Sequence, residues 1–270
     1  MQQNVNQASP NKKDIVSFSI YDNQGRTPKE YLPYSATTAT GAYQTNAVQD
    51  QSSFYNNGAA DKIEDSPNPY AVAIYEGSPL QRLVEKGAPG QDWQPGSSHT
   101  SKIINRTNLV NEVRLIDNNG GSSSYYPAEL LSVTELTDEN GNKSIVFKDK
   151  SGRLLLKKQQ LDEALDGVHV PFVETYYVYD ILGRLKYVFT PRAVSILNGN
   201  SWAVSEDLLD KWCYSYLYGE WGRVVERKVP GAAAVLLYMT SSTDQYWYKT
   251  ESLEQPISGI LPSTILETGR

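Results

Sequence analysis

The sequence predicts a mainly β fold, built from antiparallel hairpins that form a curved open sheet, with one or two short helices. Three observations carry this expectation: a turn signature recurs along the chain, strand-like segments flank each copy, and tyrosine dominates the aromatic residues. There are 19 Tyr against 5 Phe and 5 Trp. A tyrosine ring packs well on a half-buried sheet surface while its hydroxyl stays wet, so the imbalance favours strands. With 270 residues the chain can bury a core in one or two domains. Its 39% hydrophobic and 21% charged content argues against wholesale disorder.

The signature runs Tyr21-Asp22-Asn23-Gln24-Gly25-Arg26, then Lys148-Asp149-Lys150-Ser151-Gly152-Arg153. It returns as Tyr179-Asp180-Ile181-Leu182-Gly183-Arg184 and, in degenerate form, as Tyr218-Gly219-Glu220-Trp221-Gly222-Arg223. Strand-like segments precede the copies at 16–20, 144–147, 175–178 and 214–217. Others follow at 27–32, 154–158, 185–189 and 224–229. An aspartate at the head of a turn accepts backbone N–H groups two residues on, which closes the bend. Glycine three residues later supplies the positive φ at which the chain re-enters a sheet. Tyr and Arg flank the bend, where ring and guanidinium can pair across strands. Pro191 and Pro230 end two return strands by removing a ladder donor. The segment Asp138-Glu139-Asn140-Gly141-Asn142 adds a further hairpin, signalled by its Asn-Gly pair.

These repeated Tyr-Asp-x-x-Gly-Arg turns resemble the YD repeats of Rhs proteins. The intervening stretches are similar to Rhs-type proteins of Bacteroidetes. They include residues 8–16, Lys29-Glu30-Tyr31-Leu32-Pro33-Tyr34, Gly77-Ser78-Pro79-Leu80-Gln81-Arg82, Gly87 to Trp93, and Lys228-Val229-Pro230-Gly231-Ala232. The resemblance covers roughly residues 2–235. It implies a large secreted or cell-surface polypeptide whose repeats wind a sheet into a hollow shell, enclosing a C-terminal effector in toxin members. The implied partners are the remainder of that shell and its effector. The implied role is scaffolding, without catalysis. Tyr/Trp-rich surfaces beside Asn, Asp and Arg leave a second class open, a carbohydrate-binding surface module with glycans as partners.

Other chemistries are poorly supported. The net charge is −6 without a basic run, which argues against nucleic-acid binding. No stretch of 18 apolar residues offers a membrane span, and Met1 to Asn6 lack the regions of a signal peptide. The single cysteine, Cys213, allows no intrachain disulfide, and entering a strand it reads as buried and inert. Gly87 to Asp92 lacks the Gly-Lys-Ser/Thr ending of a phosphate loop. Asp138, Asn140 and Asn142 begin like a calcium loop, but Lys143 stands where glycine is required and Asp149 where the bidentate glutamate belongs. His99 and His169 have no Cys or His at ligand spacing, and Asp92 with His99 and a serine would need assembly in space to act as a nucleophilic site. Carboxylate pairs such as Glu129 and Glu135, or Asp162 and Glu163, read as solvated faces. We therefore expect no metal, no cofactor and no catalytic residue.

Along the chain, residues 1–136 hold the first hairpin (11–34) and an irregular β region, with a long connection at 35–70 and a short helix near Thr45–Phe54. Residues 137–235 hold the consecutive hairpins, interrupted by a helix at Ser205–Trp212 with Ser205 as its N-cap. Residues 236–270 diverge, carry no turn of this kind and are expected to pack poorly. Two readings account for the divergence, a frameshift and a genuine divergent end. Read so that each codon takes the third base of one old codon and two of the next, Met239-Thr240 encodes aspartate, preceded by tyrosine or histidine. Tyr246-Trp247-Tyr248 then encodes leucine and valine. The gene, translated in that frame, is expected to show a Tyr-Asp turn; its absence there refutes the frameshift.

Overall fold

The computed structural model describes residues 1–58, 65–161, 172–219, 221–242 and 245–252. Asp162, Glu163, His169 and residues 253–270 lie outside them. In chain order the first elements are β1 (Gln2–Val5), β2 (Ile15–Phe18), β3 (Lys29–Tyr31), β4 (Tyr34–Ser35), α1 (Ala47–Phe54), β5 (Tyr70–Tyr75), β6 (Leu83–Gly87) and β7 (Ser101–Thr107). Next come β8 (Arg114–Leu115), β9 (Ser124–Tyr125), β10 (Ser132–Thr137), β11 (Lys143–Lys148), β12 (Leu154–Gln160), β13 (Phe172–Tyr179) and β14 (Leu185–Phe189). Two helices follow, α2 (Pro191–Gly199) and α3 (Glu206–Trp212), then β15 (Cys213–Tyr218), β16 (Val224–Lys228), β17 (Val235–Ser242) and β18 (Gln245–Ser252). The fold is mainly β and antiparallel, with three short α-helices among the described residues. Two compact units divide the chain: residues 1–105 with 134–144, and residues 106–133 with 145–270.

In the first unit, β1, β2 and β4 form a small antiparallel sheet. Its core is Val16, Tyr34 and Ala36, against which Phe18, Phe54 and Tyr55 pack. The buried amide of Gln51 on α1 donates to the carbonyls of Leu32 (2.9 Å) and Pro69 (2.8 Å), anchoring the helix that the sequence places at 45–54. Asp14 is fully buried, and its carboxylate accepts from the backbone N–H of Gln7 (3.0 Å) and Gly41 (2.7 Å). A second sheet carries β10, β7, β6, β5 and β3 side by side.

The first signature copy does not form the ladder expected over 11–34. β2 pairs with β1 and β4, whereas β3 pairs with β5. Beyond the turn's own bonds, the isolated bridge Ser19↔Glu30 is the ladder pairing between the two arms among the described residues. Two residues on from that bridge stand Tyr21 and Pro28, and proline has no N–H with which to continue a ladder. The bend is made, but its strands part into different sheets.

In the second unit, β11 to β18 are neighbours in chain order, a simple meander. From Thr175 to Tyr179, β13 alternates half-buried and buried positions and turns Tyr176 and Val178 inward, as period-two side-chain geometry requires. Phe147, Leu156, Phe189, Trp202 and Cys213 join them in one core. The sequence expectation missed α2, reading Pro191 only as a strand stop. It is also the first helical residue, where its missing N–H costs nothing, and the Thr190 hydroxyl accepts from the N–H of Ala193 (3.4 Å) as N-cap. Helix α3 begins as expected, Ser205 Oγ accepting from the N–H of Leu208 (3.2 Å). Both helices are too short to persist without tertiary packing. They are held by Ala193, Val194, Leu197 and Leu208, all buried.

Past residue 235, where the sequence carries no turn of the repeat type, the backbone still forms strands. β17 pairs with β16 and with β18, the latter from Val235↔Ser252 to Ser242↔Gln245. Tyr246, Trp247 and Tyr248 have high β propensity without needing an Asp-x-x-Gly turn.

Leu197 is fully buried in the main core. Leu197→Ala should therefore lower unfolding free energy by about 2–5 kcal/mol, as measured by urea denaturation.

Candidate functional site

Three of the four signature copies share one hydrogen-bonded geometry. The N–H of the turn aspartate donates to the carbonyl four residues on: Asp22 to Arg26 at 2.8 Å, Asp149 to Arg153 at 3.0 Å, Asp180 to Arg184 at 2.9 Å. The glycine N–H donates back to the aspartate carbonyl at 2.9–3.0 Å, from Gly25, Gly152 and Gly183. One carboxylate oxygen accepts two more N–H groups; for Asp180 these come from Leu182 (3.0 Å) and Arg184 (2.8 Å). This is a four-residue bend that ends on a left-handed glycine, and φ at Gly183 is +78°. A side chain there would meet strain twice, because an added Cβ would also lie 3.0 Å from Arg153 Nη1.

The same closure occurs where the sequence signature is incomplete. At Asp138-Gly141-Asn142 it is the hairpin turn that the Asn-Gly pair predicted. At Asp117-Gly120-Gly121 it went unrecognised, since neither Tyr nor Arg flanks it, although Asp-x-x-Gly was legible. At Gly219-Gly222-Arg223 the backbone alone closes the bend. A disguised relative lies at Tyr75-Glu76 to Arg82. There the Glu76 N–H donates to the Arg82 carbonyl (2.9 Å), and Arg82 Nε donates to the Glu76 carboxylate (2.9 Å). Tyr-acid followed by Arg would have flagged it.

Each arginine serves two turns. Its Nε donates to the other carboxylate oxygen of its own aspartate, at 2.8 Å for Arg26, 2.6 Å for Arg153 and 2.7 Å for Arg184. Its guanidinium then lies over a tyrosine that opens a later turn: Arg26 over Tyr75 (4.5 Å to the ring centre), Arg153 over Tyr179 (5.2 Å) and Arg184 over Tyr218 (4.6 Å). Two of these rings also donate their hydroxyl to the carbonyl just past that arginine, Tyr179 to Leu154 and Tyr218 to Leu185, both at 2.8 Å. Tyr and Arg of one signature therefore do not pair with each other, as the sequence suggested; the arginine reaches forward. Register explains it. Leu156 faces Tyr176, so three residues along the ladder Arg153 falls opposite Tyr179. Tyr187 faces Ser215, which sets Arg184 opposite Tyr218, and Lys29 faces Val72, which sets Arg26 opposite Tyr75.

The electrostatics follow from these contacts. The backbone N–H of Arg26, joined by its side chain, holds Asp22 below the usual carboxylate range. For Asp149 and Asp180, burial pushes upward but is outweighed by hydrogen bonds from the backbone and side chain of Arg153 and Arg184. Asn142 lowers Asp138 through its side chain and its N–H. Glu76 is held at about 2 by the Arg82 side chain, helped by the Ser78 hydroxyl. These carboxylates are locked as acceptors, a poor state for proton transfer.

A cleft of about 180 Å³ beside Arg153 and Tyr179 is also lined by Arg114, Tyr126, Tyr176 and Asp180. His99 is exposed and meets the Asp92 carbonyl (3.3 Å), not its carboxylate, and its ring rests on Trp93. Burial pushes the Cys213 thiol up to about 12, so it is not an activated nucleophile. The loop at Gly87 packs against the Trp93 carbonyl and Pro95, as a close-packed turn does. Among the described residues no group of three His, Cys, Asp or Glu could hold a metal ion. Among them, too, no helix is long and apolar enough to cross a membrane.

Comparison with known proteins agrees with this architecture. Residues 1–107 match the family described as a domain of unknown function, DUF6443. No curated protein matches the chain significantly. Among solved structures it is similar to the TcdB2-TccC3 complex, with a TM-score of 0.51 at 14% identity over 84% of this chain and 9% of that one. It also matches the Photorhabdus luminescens Tc holotoxin pore (TM-score 0.49, 15% identity, 84% of this chain and 9% of that one). The chain thus spans about a tenth of the length of these structures. At such identity the likeness shows the fold, a repeat-built antiparallel β architecture.

The turns make stability pH-dependent in a definite sense. Because the folded-state values are lowered, the contribution of Asp22, Asp138, Asp149 and Asp180 is complete above the unfolded carboxylate value of about 4 and is lost as pH falls through the lower folded values. Urea midpoints should therefore drop between pH 5 and pH 3, and Asp180→Asn should flatten that slope. Arg153→Gln should cost about 1 kcal/mol at pH 7.

Proposed function

We propose that this chain is a non-enzymatic structural segment of a larger secreted or surface Rhs/YD-repeat protein, of the type found in Bacteroidetes. It contributes strands to a β-shell that, in toxin members, encloses a C-terminal effector. Its partners are the rest of that shell and the effector. The observation that carries this is the forward-reaching arginine: the side chains rich in chemistry are spent on joining one repeat to the next. The DUF6443 match and the likeness to the TcdB2-TccC3 complex support the same reading.

Two measurements test it. The purified chain, screened against a broad hydrolase panel and a glycan array, is expected to show neither turnover nor reproducible sugar binding; either signal overturns the scaffold assignment. The gene neighbourhood is expected to encode further Tyr-Asp repeats and an effector. A locus without them overturns the parentage.

A further inference from the structure

Five arginines among the described residues are half-buried: Arg26, Arg106, Arg114, Arg153 and Arg184. Four of them hold a carboxylate, from Asp22, Glu112, Asp149 and Asp180. Taking a guanidinium partly out of water has a desolvation cost, which a paired carboxylate offsets. Arg114 is the exception. Its guanidinium lies over the Tyr125 ring (4.1 Å to the ring centre) and near that of Trp202 (5.5 Å), and among the described residues no oxygen accepts from it. The rings fix the fork in place and leave its N–H groups unspent.

The same shortage of partners runs through the cleft that Arg114 lines, whose walls all belong to the second unit. The hydroxyl of Tyr126 and the side-chain amide of Asn118 make no hydrogen bond among the described residues. The Tyr176 hydroxyl accepts a long bond from the backbone N–H of Arg114 (3.4 Å) and keeps its own proton to donate. Charge in the cleft is one-sided. Arg153 is neutralised by Asp149, and Asp180 by Arg184, which leaves Arg114 uncompensated. Lys186 adds positive charge beside it, its Nζ donating to the Asn118 carbonyl (2.8 Å). Unspent donors with an excess of positive charge, in a chain of net charge −6, suit an anion. The volume of about 180 Å³ is below the roughly 300 Å³ at which sites for drug-sized ligands begin, which restricts that anion to a small body.

We infer that the cleft binds a small organic acid, whose carboxylate takes the place at Arg114 that the chain's own carboxylates hold at the other four arginines. Tyr126, Tyr176 and Asn118 are the further donors to it. Binding of this kind needs no turnover, so the cleft adds a ligand to the chain without depending on the scaffold reading.

Succinate is the probe, added to the full chain at constant ionic strength, with succinamide as its uncharged counterpart. Succinate should raise the thermal midpoint saturably, by about 3 °C at roughly ten times Kd, and succinamide should leave it unchanged. Arg114→Gln should weaken succinate binding by about tenfold or more, and Arg114→Lys, which keeps the charge but not the fork, should fall between. Tyr126→Phe keeps the ring and should weaken binding by about threefold; it carries the test if Arg114→Gln does not fold. Arg192→Gln, at an exposed arginine over Trp212 (5.7 Å), should leave binding unchanged. The absence of a saturable shift, equal shifts with succinate and succinamide, or equal losses in Arg114→Gln and Arg192→Gln would overturn the inference. So would inorganic phosphate or a blocked Gly-Glu-Gly peptide binding more tightly than succinate, since the ligand would then not be a free carboxylic acid.

Discussion

The second unit's hairpins depend on one carboxylate with four donors. Asp180 accepts the N–H groups of Leu182 and Arg184 on one oxygen and Arg184 Nε and Nη2 on the other. The backbone bonds shape the bend. The guanidinium bonds aim the arginine, and the register sets Tyr218 beneath it. One residue thus specifies a local conformation and a contact with the next repeat. Neither contact is strong by itself, since exposed cation–π pairs and half-exposed ion pairs each contribute about 1 kcal/mol or less. Repetition makes them matter, because each link also fixes the side chain that the next link uses.

Copies that lack a part show what each part does. Asp138 and Asp117 close their bends with Asn142 and Gly121 in the arginine position, so the turn does not need the arginine. Gly219 closes its bend without a carboxylate and still brings Tyr218 under Arg184. Tyr75 is covered by Arg26 although its own turn is two residues longer and uses glutamate. Bend and interlock are therefore separable. The exposed side chains of Ile181, Leu182 and Trp221 at the turn tips take no part in either.

The core adds what the turns cannot. Phe147, Leu156, Tyr176, Val178 and Phe189 bury one face of the meander, and α2 and α3 cover it with Leu197 and Leu208. Apolar burial at about 25 cal/mol per Å² outweighs any single turn contact, and it explains why two helices of fewer than ten residues persist. Gly120 marks how tightly this side is packed. A Cβ there would meet the Phe189 ring at 2.8 Å.

The amino-acid sequence by itself determined the bends, the N-cap at Ser205 and most strand segments. Each is encoded within about five residues: an aspartate reaches N–H groups two and four positions on, and a serine caps the N–H three positions on. Tertiary structure decided the partners. Nothing near Asp22 states that β2 and β3 enter different sheets; Pro28 and the packing of Val16 against Tyr34 settle that. Nor does Tyr-Asp-x-x-Gly-Arg state that its arginine serves a different tyrosine, 26 residues away for Arg153 and Tyr179 but 49 for Arg26 and Tyr75. Register between strands is a property of two distant segments, set by which faces they bury, and no local pattern contains it.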